Sequence, residues 1–225
     1  QRFEVDNLPK SALKVVEEIY AKAEKSNNSP QIVKTLFYKS KFALILEEDA
    51  QLKVVNQFKE HINKSSFPTK NVLENVLANL YWQYFNQNRW KFYQRTKTAE
   101  KVDTNDFRTW DLDTLFKEIH SYYNSSLEEK LLLQKVDVHQ FSAILNVVKG
   151  SKEFRPTLYD FLAHNALQFY KTTENNITKP AYKFSIDNKD FISVATVFSR
   201  LNLTSKDSLS LQFNALKIYQ DLIGF

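Results

Sequence analysis

The amino-acid sequence predicts an all-α protein, and two observations carry this prediction. Only two glycines and five prolines occur in 225 residues, whereas sandwiches and barrels need glycine-rich turns and nucleotide-binding α/β folds need glycine clusters. Apolar residues also recur at intervals of three and four along most of the chain, which is the spacing of one helical face. Since 43% of the residues are apolar and 25% are charged, we expect the chain to fold around a core.

The first part of the chain predicts four amphipathic helices in succession. A proline in the first turn costs little because its missing N–H would have no partner there, and acidic residues favour the positive end of the helix dipole. The apolar face of the fourth helix extends from Val72 to Phe85. The four predicted starts are near Pro9, at a Ser29 cap before Pro30, at the acidic run 47–49 and after the break at 65–69.

The rest of the chain predicts shorter helices and two irregular stretches. Residues 97–108 are polar and aperiodic, so we expect a loop, and one irregular excursion is expected around 172–205. Aspartate and serine are favoured helix caps, because their side chains accept hydrogen bonds from unpaired N–H groups. Helices are predicted at 111–123 with Asp111 as the cap, at 127–133, at 137–145 with Asp137 as the cap, at 157–170 and at 208–223 with Ser208 as the cap.

Helices with short connections predict a stack of antiparallel helical hairpins, an α-solenoid or tetratricopeptide-like array, in a single domain over 1–225. The hexamers at 165–170 and 214–219 both contain Asn-Ala-Leu and end in Tyr. One pattern serving two amphipathic helices explains them as well as a true repeat does. Because the chain stops directly after a strong helical pattern, we interpret it as a fragment of a much larger protein that continues after residue 225.

The sequence favours neither an enzyme nor a metal protein. The absence of Cys excludes disulfides, thiolate zinc sites and thiol nucleophiles. Asp160 lies one helical turn before His164, but no nucleophile motif accompanies this pair. We therefore expect no catalytic residue, no cofactor and no metal. The longest apolar run, 42–46, is far short of the roughly 20 residues that a transmembrane segment needs.

The segment 81–95 interleaves aromatic and basic residues, as nucleic-acid-binding surfaces do. Tyr81, Tyr84 and Phe85 nevertheless continue the apolar face of Leu77, which predicts that they belong to the core. The net charge of +5 is spread along the chain. We therefore expect no nucleic-acid binding.

Arginine stands beside tryptophan at two predicted helix junctions. Arg89 and Trp90 end one long helix, while Arg108 and Trp110 precede the next, and Arg155 stands before another helix. Such pairs fix helix corners through carbonyl hydrogen bonds and stacking. The alternative is a ledge that binds a peptide.

Several short motifs also occur in a fixed order. They are Asn-Leu-Pro-Lys-Ser-Ala-Leu at 7–13, Glu-Glu-Ile-Tyr at 17–20, Pro-Gln-Ile-Val-Lys at 30–34, Asn-Arg-Trp at 88–90, Thr-Trp-Asp at 109–111 and Arg-Pro-Thr-Leu-Tyr-Asp-Phe-Leu-Ala-His at 155–164. Together they resemble the large alpha-2-macroglobulin family proteins of Bacteroidetes. The resemblance extends from about Phe3 to Phe225 and is weakest at 175–205.

This resemblance implies a secreted protein of the periplasm or cell envelope that acts as a protease trap. In such a protein a bait segment is cleaved, and a thioester in a Cys-x-Glu-Gln motif can couple the protease. The chain has no Cys, so neither bait nor thioester is expected here. The resemblance therefore implies a non-catalytic, helical N-terminal scaffold whose partners are the following domains of the same chain, and proteases only through the full-length protein.

Leu222, Ile223 and Phe225 give the last predicted helix an apolar end. We expect these residues to dock on a following domain, with packing on their own preceding hairpin as the alternative. A different function also stays open, that of a free-standing helical-repeat adaptor that binds peptide or protein partners.

Overall fold

The computed structural model describes residues 6–46, 50–94, 105–145, 150–172 and 183–224. Within these ranges the regular structure is helical, apart from one isolated β-bridge between Asp137 and Thr157. The prediction of an all-α fold is confirmed. The helices are α1 Pro9–Lys25, α2 Ser29–Leu46, α3 Ala50–Lys64, α4 Thr69–Gln94, α5 Leu112–Leu127, α6 Lys130–Leu133, α7 Ser151–Phe154, α8 Leu158–Tyr170, α9 Ala195–Phe198 and α10 Leu211–Ile223.

Successive helices pack against one another along the first half of the chain. α1 contacts α2, α2 contacts α3, α3 contacts α4 and α4 contacts α5, and the connections at 26–28 and 65–68 are too short for anything but a hairpin. This packing is consistent with a stack of helical hairpins. The start of α2 differs in one detail from the prediction, because Asn28 Oδ1, rather than Ser29, accepts the hydrogen bond from the Gln31 N–H at 3.2 Å.

α4 is the central helix of the fold. It contacts α2, α3, α5 and α8, so residues on nearly every side of its first four turns are buried. It continues nine residues beyond Phe85, to Gln94, with a kink at Asn88, where φ is −121° and ψ is 20°. The polar residues after Phe85 do not end the helix, because most of them face solvent while Phe92 still packs in the main core.

Two apolar clusters hold the helices together. The large one gathers side chains of α2 to α5, α8 and α10 around α4. The small one lies between α1 and α2 and consists of Ala12, Val16 and Phe42, with Leu13 and Tyr38 packed against it. The N-terminal hairpin therefore has a minor core of its own beside the main one.

The helices of the second half begin at caps that the sequence predicts only in part. Asp111 caps α5 as expected, its Oδ1 accepting from the Thr114 N–H at 2.7 Å. Asp137 caps only the 3-10 turn Val138–Phe141, so the prediction of a helix at 137–145 is wrong. The reason is that the Val138 N–H donates to the Pro156 carbonyl at 3.1 Å, which commits this backbone to the start of α8.

α8 and α10 pack against each other, and each has a side-chain cap. Thr157 and Asp160 form a reciprocal capping box at the start of α8. α10 begins three residues later than predicted, and its cap is Ser210 instead of Ser208. The similar hexamers lie in these two helices, but Asn165 binds Asn75 of α4 while Asn214 binds the carbonyls of 208 and 210. Their different partners favour a shared amphipathic pattern over a repeat.

The described part of the predicted excursion, 183–205, contains only the turn Lys189–Ile192 and the short helix α9. Gln220 of α10 fastens this stretch by donating to the carbonyls of Phe198 at 3.0 Å and Leu201 at 2.7 Å. Residues 173–182 of the excursion, and 97–104 of the predicted loop, lie outside the described part. Even α4, the longest helix described, lacks an apolar window suited to crossing a bilayer, as do the other described helices.

Candidate functional site

Side-chain contacts hold the short connection that precedes α5. Asp106 accepts hydrogen bonds from the Arg108 guanidinium, with Nη2 at 2.7 Å and Nε at 2.9 Å, and from the Arg108 N–H at 3.0 Å. These bonds lower the pKa of Asp106. Trp110, only 4% exposed, packs at 5.8 Å from the Tyr81 ring, and Lys59 Nζ lies 5.5 Å from the Trp110 ring centroid. Arg108 is thus paired with a carboxylate in this connection, and Trp110 is buried beside it.

The other arginine positions face solvent. Arg89 is exposed, and its Nη2 donates to Asn86 Oδ1 at 2.9 Å at the α4 kink. Trp90 is 59% exposed, with Lys91 Nζ 5.5 Å from its ring centroid. Arg155 is exposed in the connection between α7 and α8. Two Arg–Trp pairs that look alike in sequence therefore differ in burial, since Trp90 is exposed and Trp110 is buried.

Most aromatic side chains of the segment 81–95 are packed in the protein interior. Tyr81, Tyr84 and Phe85 are buried, as predicted. The Tyr84 ring lies 4.9 Å from Phe107, and Phe85 lies 5.2 Å from Phe116. Their ring faces pack against other rings and are thus not available to stack on bases.

Two histidines on described helices have structural partners. His120 Nδ1 lies 2.9 Å from the Tyr170 hydroxyl, and burial lowers the pKa of His120. His164 Nδ1 donates to the Asp160 carbonyl at 2.7 Å, while the Asp160 carboxylate accepts from the Thr157 N–H and hydroxyl at 2.9 and 2.7 Å. His164 and Asp160 thus do not form a histidine–carboxylate dyad. No cluster of three or more possible metal ligands occurs among the described residues.

A row of buried polar side chains joins α4 to α5 and α8. Asn75 Nδ2 donates to the Ser126 hydroxyl and to the Leu162 carbonyl, both at 3.1 Å. Asn165 Nδ2 donates to Asn75 Oδ1 at 3.2 Å, and Asn71 Nδ2 donates to the Ser126 carbonyl at 3.3 Å. This network fixes the mutual positions of three helices.

Glu74 lies on the same helical face as Asn71 and is only 6% exposed. Its nearest cation is Lys70, whose Nζ lies 3.9 Å from Glu74 Oε1 and whose side chain is exposed. Burial, and to a smaller extent the carboxylates of Glu128 and Glu129, raise the pKa of Glu74, while Lys70 lowers it; the net pKa is about 7. Glu74 is thus a buried carboxyl group that titrates near neutral pH.

The sequence pattern alone does not distinguish this polar row. Asn71, Glu74 and Asn75 have the i, i+3, i+4 spacing of one helical face, which was the available signal. The same spacing also describes an ordinary solvated face. Only the contacts of α4 with four neighbouring helices reveal that this face is buried.

The predicted docking residues lie at the end of α10. Leu222 is half-buried and packs against the main core, whereas Ile223 is 43% exposed; Phe225 lies outside the described residues. Asp221, one residue earlier, accepts from the Tyr159 hydroxyl at 3.0 Å and forms an ion pair with Lys130. The end of α10 is thereby tied to the start of α8 and to α6.

More exposed apolar side chains lie on α6, which is paired with the end of α10, and on α7, which precedes α8. Leu131, next to Lys130, is 72% exposed, and Phe154, two residues before Pro156, is 80% exposed. The two segments are joined where the Leu158 N–H donates to the Val136 carbonyl at 2.8 Å. We call Leu131, Leu132, Phe154 and Ile223 the end surface.

Comparisons with protein-family models, with curated proteins and with solved structures returned no match.

Proposed function

We propose that this chain is the helical N-terminal region of a bacterial alpha-2-macroglobulin family protease inhibitor, located in the periplasm or cell envelope. In this proposal the chain is a non-catalytic scaffold. It docks on the following domains of the same protein and meets proteases only through the full-length molecule.

The observation that carries the docking role is the end surface. Leu131 and Ile223 belong to segments joined by the Lys130–Asp221 ion pair. Exposed apolar side chains on segments that are joined to one another are a feature that protein interfaces use. A scaffold also needs such a surface on rigid elements, and α10 is held to α8 by apolar packing as well as by Asp221.

Residues of the family-like motifs take part in the local structure of the fold. Trp110, in the motif at 109–111, is buried at the corner before α5. Thr157 and Asp160, in the motif at 155–164, form the capping box of α8, and Tyr159 in the same motif binds Asp221. Because these residues determine local structure, a similar motif set is expected to specify a similar fold.

The first experiment is to read the complete gene. The proposal requires a reading frame that continues into β-rich macroglobulin domains and begins with a secretion signal. A frame without such domains would overturn it and favour the free-standing adaptor.

The second experiment measures docking between this chain and the domains that follow it, expressed separately. Ile223→Asp is expected to weaken binding at least tenfold, because it places a charge in an apolar contact. Ile45→Asp is the matched control, since Ile45 is also exposed but lies on α2. Both variants should keep the helical circular dichroism of the wild type. Equal binding by the two variants would contradict docking through the end surface.

A further inference from the structure

The carboxyl group of Glu74 stands at the place where α4 faces the end of α5. Asn71, one turn before it, donates to the Ser126 carbonyl, and Asn75, the next residue, donates to the Ser126 hydroxyl. Ser126 belongs to the last turn of α5. The C-terminal end of a helix carries a partial negative charge, so this location disfavours an ionised carboxylate.

Two more acidic groups, both exposed, follow Ser126 in the chain. Glu128 and Glu129 occupy the turn between α5 and α6, and their carboxylates act on Glu74 with the same sign of charge. Lys70 is the one cation that acts on Glu74 from the described part of the chain. At 3.9 Å, and with an exposed side chain, it offsets this repulsion only in part.

The remaining neighbours contribute little compensating charge. On α5, the Tyr122 phenol has a pKa raised to about 12, by burial first and then by Glu118 and Glu74. On α8, Asp160 is engaged in the Thr157 cap and His164 binds the Asp160 carbonyl. On α3, Lys59 pairs with Glu118 at 3.3 Å.

A neutral Glu74 also has a stabilising partner at hand. Asn71 Oδ1 is buried and has no hydrogen-bond donor in the described part of the protein. Residues three apart on a helix are neighbours, so a protonated Glu74 would be a hydrogen-bond donor beside this acceptor. Ionisation removes that donor and adds a charge.

We propose that Glu74, Glu128 and Glu129 form a proton-sensitive joint between α4 and the turn that leads to α6, which closes when Glu74 is protonated and loosens when it ionises. The neighbouring residue, Lys130, holds Asp221 at the end of α10. We therefore expect loosening of the turn to be transmitted to the end surface through the Lys130–Asp221 ion pair. The joint is a property of the folded chain and does not depend on the proposed docking partner.

The direction of the pH effect follows from the raised pKa of Glu74 in the folded chain. The pKa of Glu74 is about 7 in the fold, against an ordinary value of 4.5, so between these values the folded chain binds more protons than the unfolded chain. Stability is then highest in acid, falls as the pH rises from about 5 to about 7 and levels off above it.

The test compares urea unfolding of the wild type, Glu74→Gln and the exposed control Glu60→Gln between pH 5 and pH 9. Between pH 5 and 7, the unfolding constant of the wild type, relative to that of Glu74→Gln, should rise by up to about tenfold per pH unit. Glu60→Gln should follow the wild type. Equal pH dependence in Glu74→Gln and the wild type would overturn the joint.

A second variant leaves the buried position unchanged, in case Glu74→Gln fails to fold. The double variant Glu128→Gln/Glu129→Gln removes the like charges, so the pH transition should move to lower pH. Hydrogen exchange of the 132–134 amides then reports on the turn, because these amides donate to the Glu129 and Lys130 carbonyls at 2.9 Å. Their protection should fall between about pH 5 and 7 in the wild type and over a lower pH range in the double variant. Unchanged protection across this range would refute loosening.

Discussion

The central helix α4 and the N-terminal hairpin α1–α2 are held in different ways. α4 is surrounded by four helices, and rings from α4, α5 and α8 pack against one another there. The small cluster of the hairpin has only three buried side chains, Ala12, Val16 and Phe42. Few buried apolar contacts mean a low free energy of local opening. We therefore expect α1 and the end of α2 around Phe42 to open locally, whereas Val33 and Leu36 keep the start of α2 in the main core and α4 opens only when the whole protein unfolds.

We also expect the two regions to respond to acid in opposite directions. Glu74 beside α5 is stabilised by its proton, as described above. His61 of α3 lies at the edge of the hairpin, its Nδ1 3.0 Å from the Tyr20 hydroxyl, and burial, then Lys39, lowers the pKa of His61. Acidification therefore strengthens the centre while it weakens the attachment of the hairpin.

The largest expected effect is at the centre. Phe85→Ala removes a fully buried ring and should lower the free energy of unfolding by about 3–5 kcal/mol. Leu44→Ala, at an exposed position of α2, should stay within about 0.5 kcal/mol. Urea denaturation measures both. A loss below about 2 kcal/mol for Phe85→Ala would show that α4 is not the cooperative core.

A smaller effect is expected in the hairpin. Phe42→Ala should cost about 2 kcal/mol, less than a central ring, because a small cluster can collapse around the gap. The loss should appear as faster hydrogen exchange in α1 and α2, with α4 amides unchanged. Equal acceleration in all three helices would instead make the hairpin part of the global unit.

The cap of α8 provides a further case, since α8 packs on α4 and its capping residues are themselves buried. Thr157→Ala removes the acceptor of the Asp160 N–H at 3.2 Å and should cost about 1 kcal/mol. Thr157→Ser keeps the acceptor and serves as the control. A Ser variant as unstable as the Ala variant would assign the loss to packing of the methyl group.

The smallest expected effect is the acid response of the hairpin. Because the pKa of His61 is lowered in the fold, its contribution is complete above about pH 6.5 and is lost as the pH falls. His61→Gln should make α1 amide protection less sensitive to pH between 7 and 5, with an effect below about 1 kcal/mol. A sensitivity equal to that of the wild type would locate the acid response elsewhere.

Helix existence could be predicted from sequence because it depends on local periodicity. Asp111 is a case where a local side-chain signal decides the cap, and the prediction is confirmed. Asp137 has the same local signal, but its neighbours bind the 156–158 backbone, a long-range contact that no local pattern contains. The cap of α10 was missed by two residues because both Ser208 and Ser210 satisfy the rule.

The candidate site was less predictable, for the same physical reason. Trp90 and Trp110 both follow arginine-containing junctions, yet one is exposed and the other buried. Their difference is set by Tyr81 and Lys59, which approach Trp110 from other helices. Glu74 is a similar case, since its neutral-pH titration depends on which residues the fold brings to it.

The contacts that hold α10 in place determine what happens when the backbone is cut. Asp221 binds Lys130 and Tyr159, Gln220 binds two carbonyls after α9, and apolar residues of α10 pack on α8. None of these attachments uses the peptide bonds near the exposed Ile192. A protease that nicked the backbone there would leave two fragments that migrate apart on a denaturing gel but elute as one species from a sizing column.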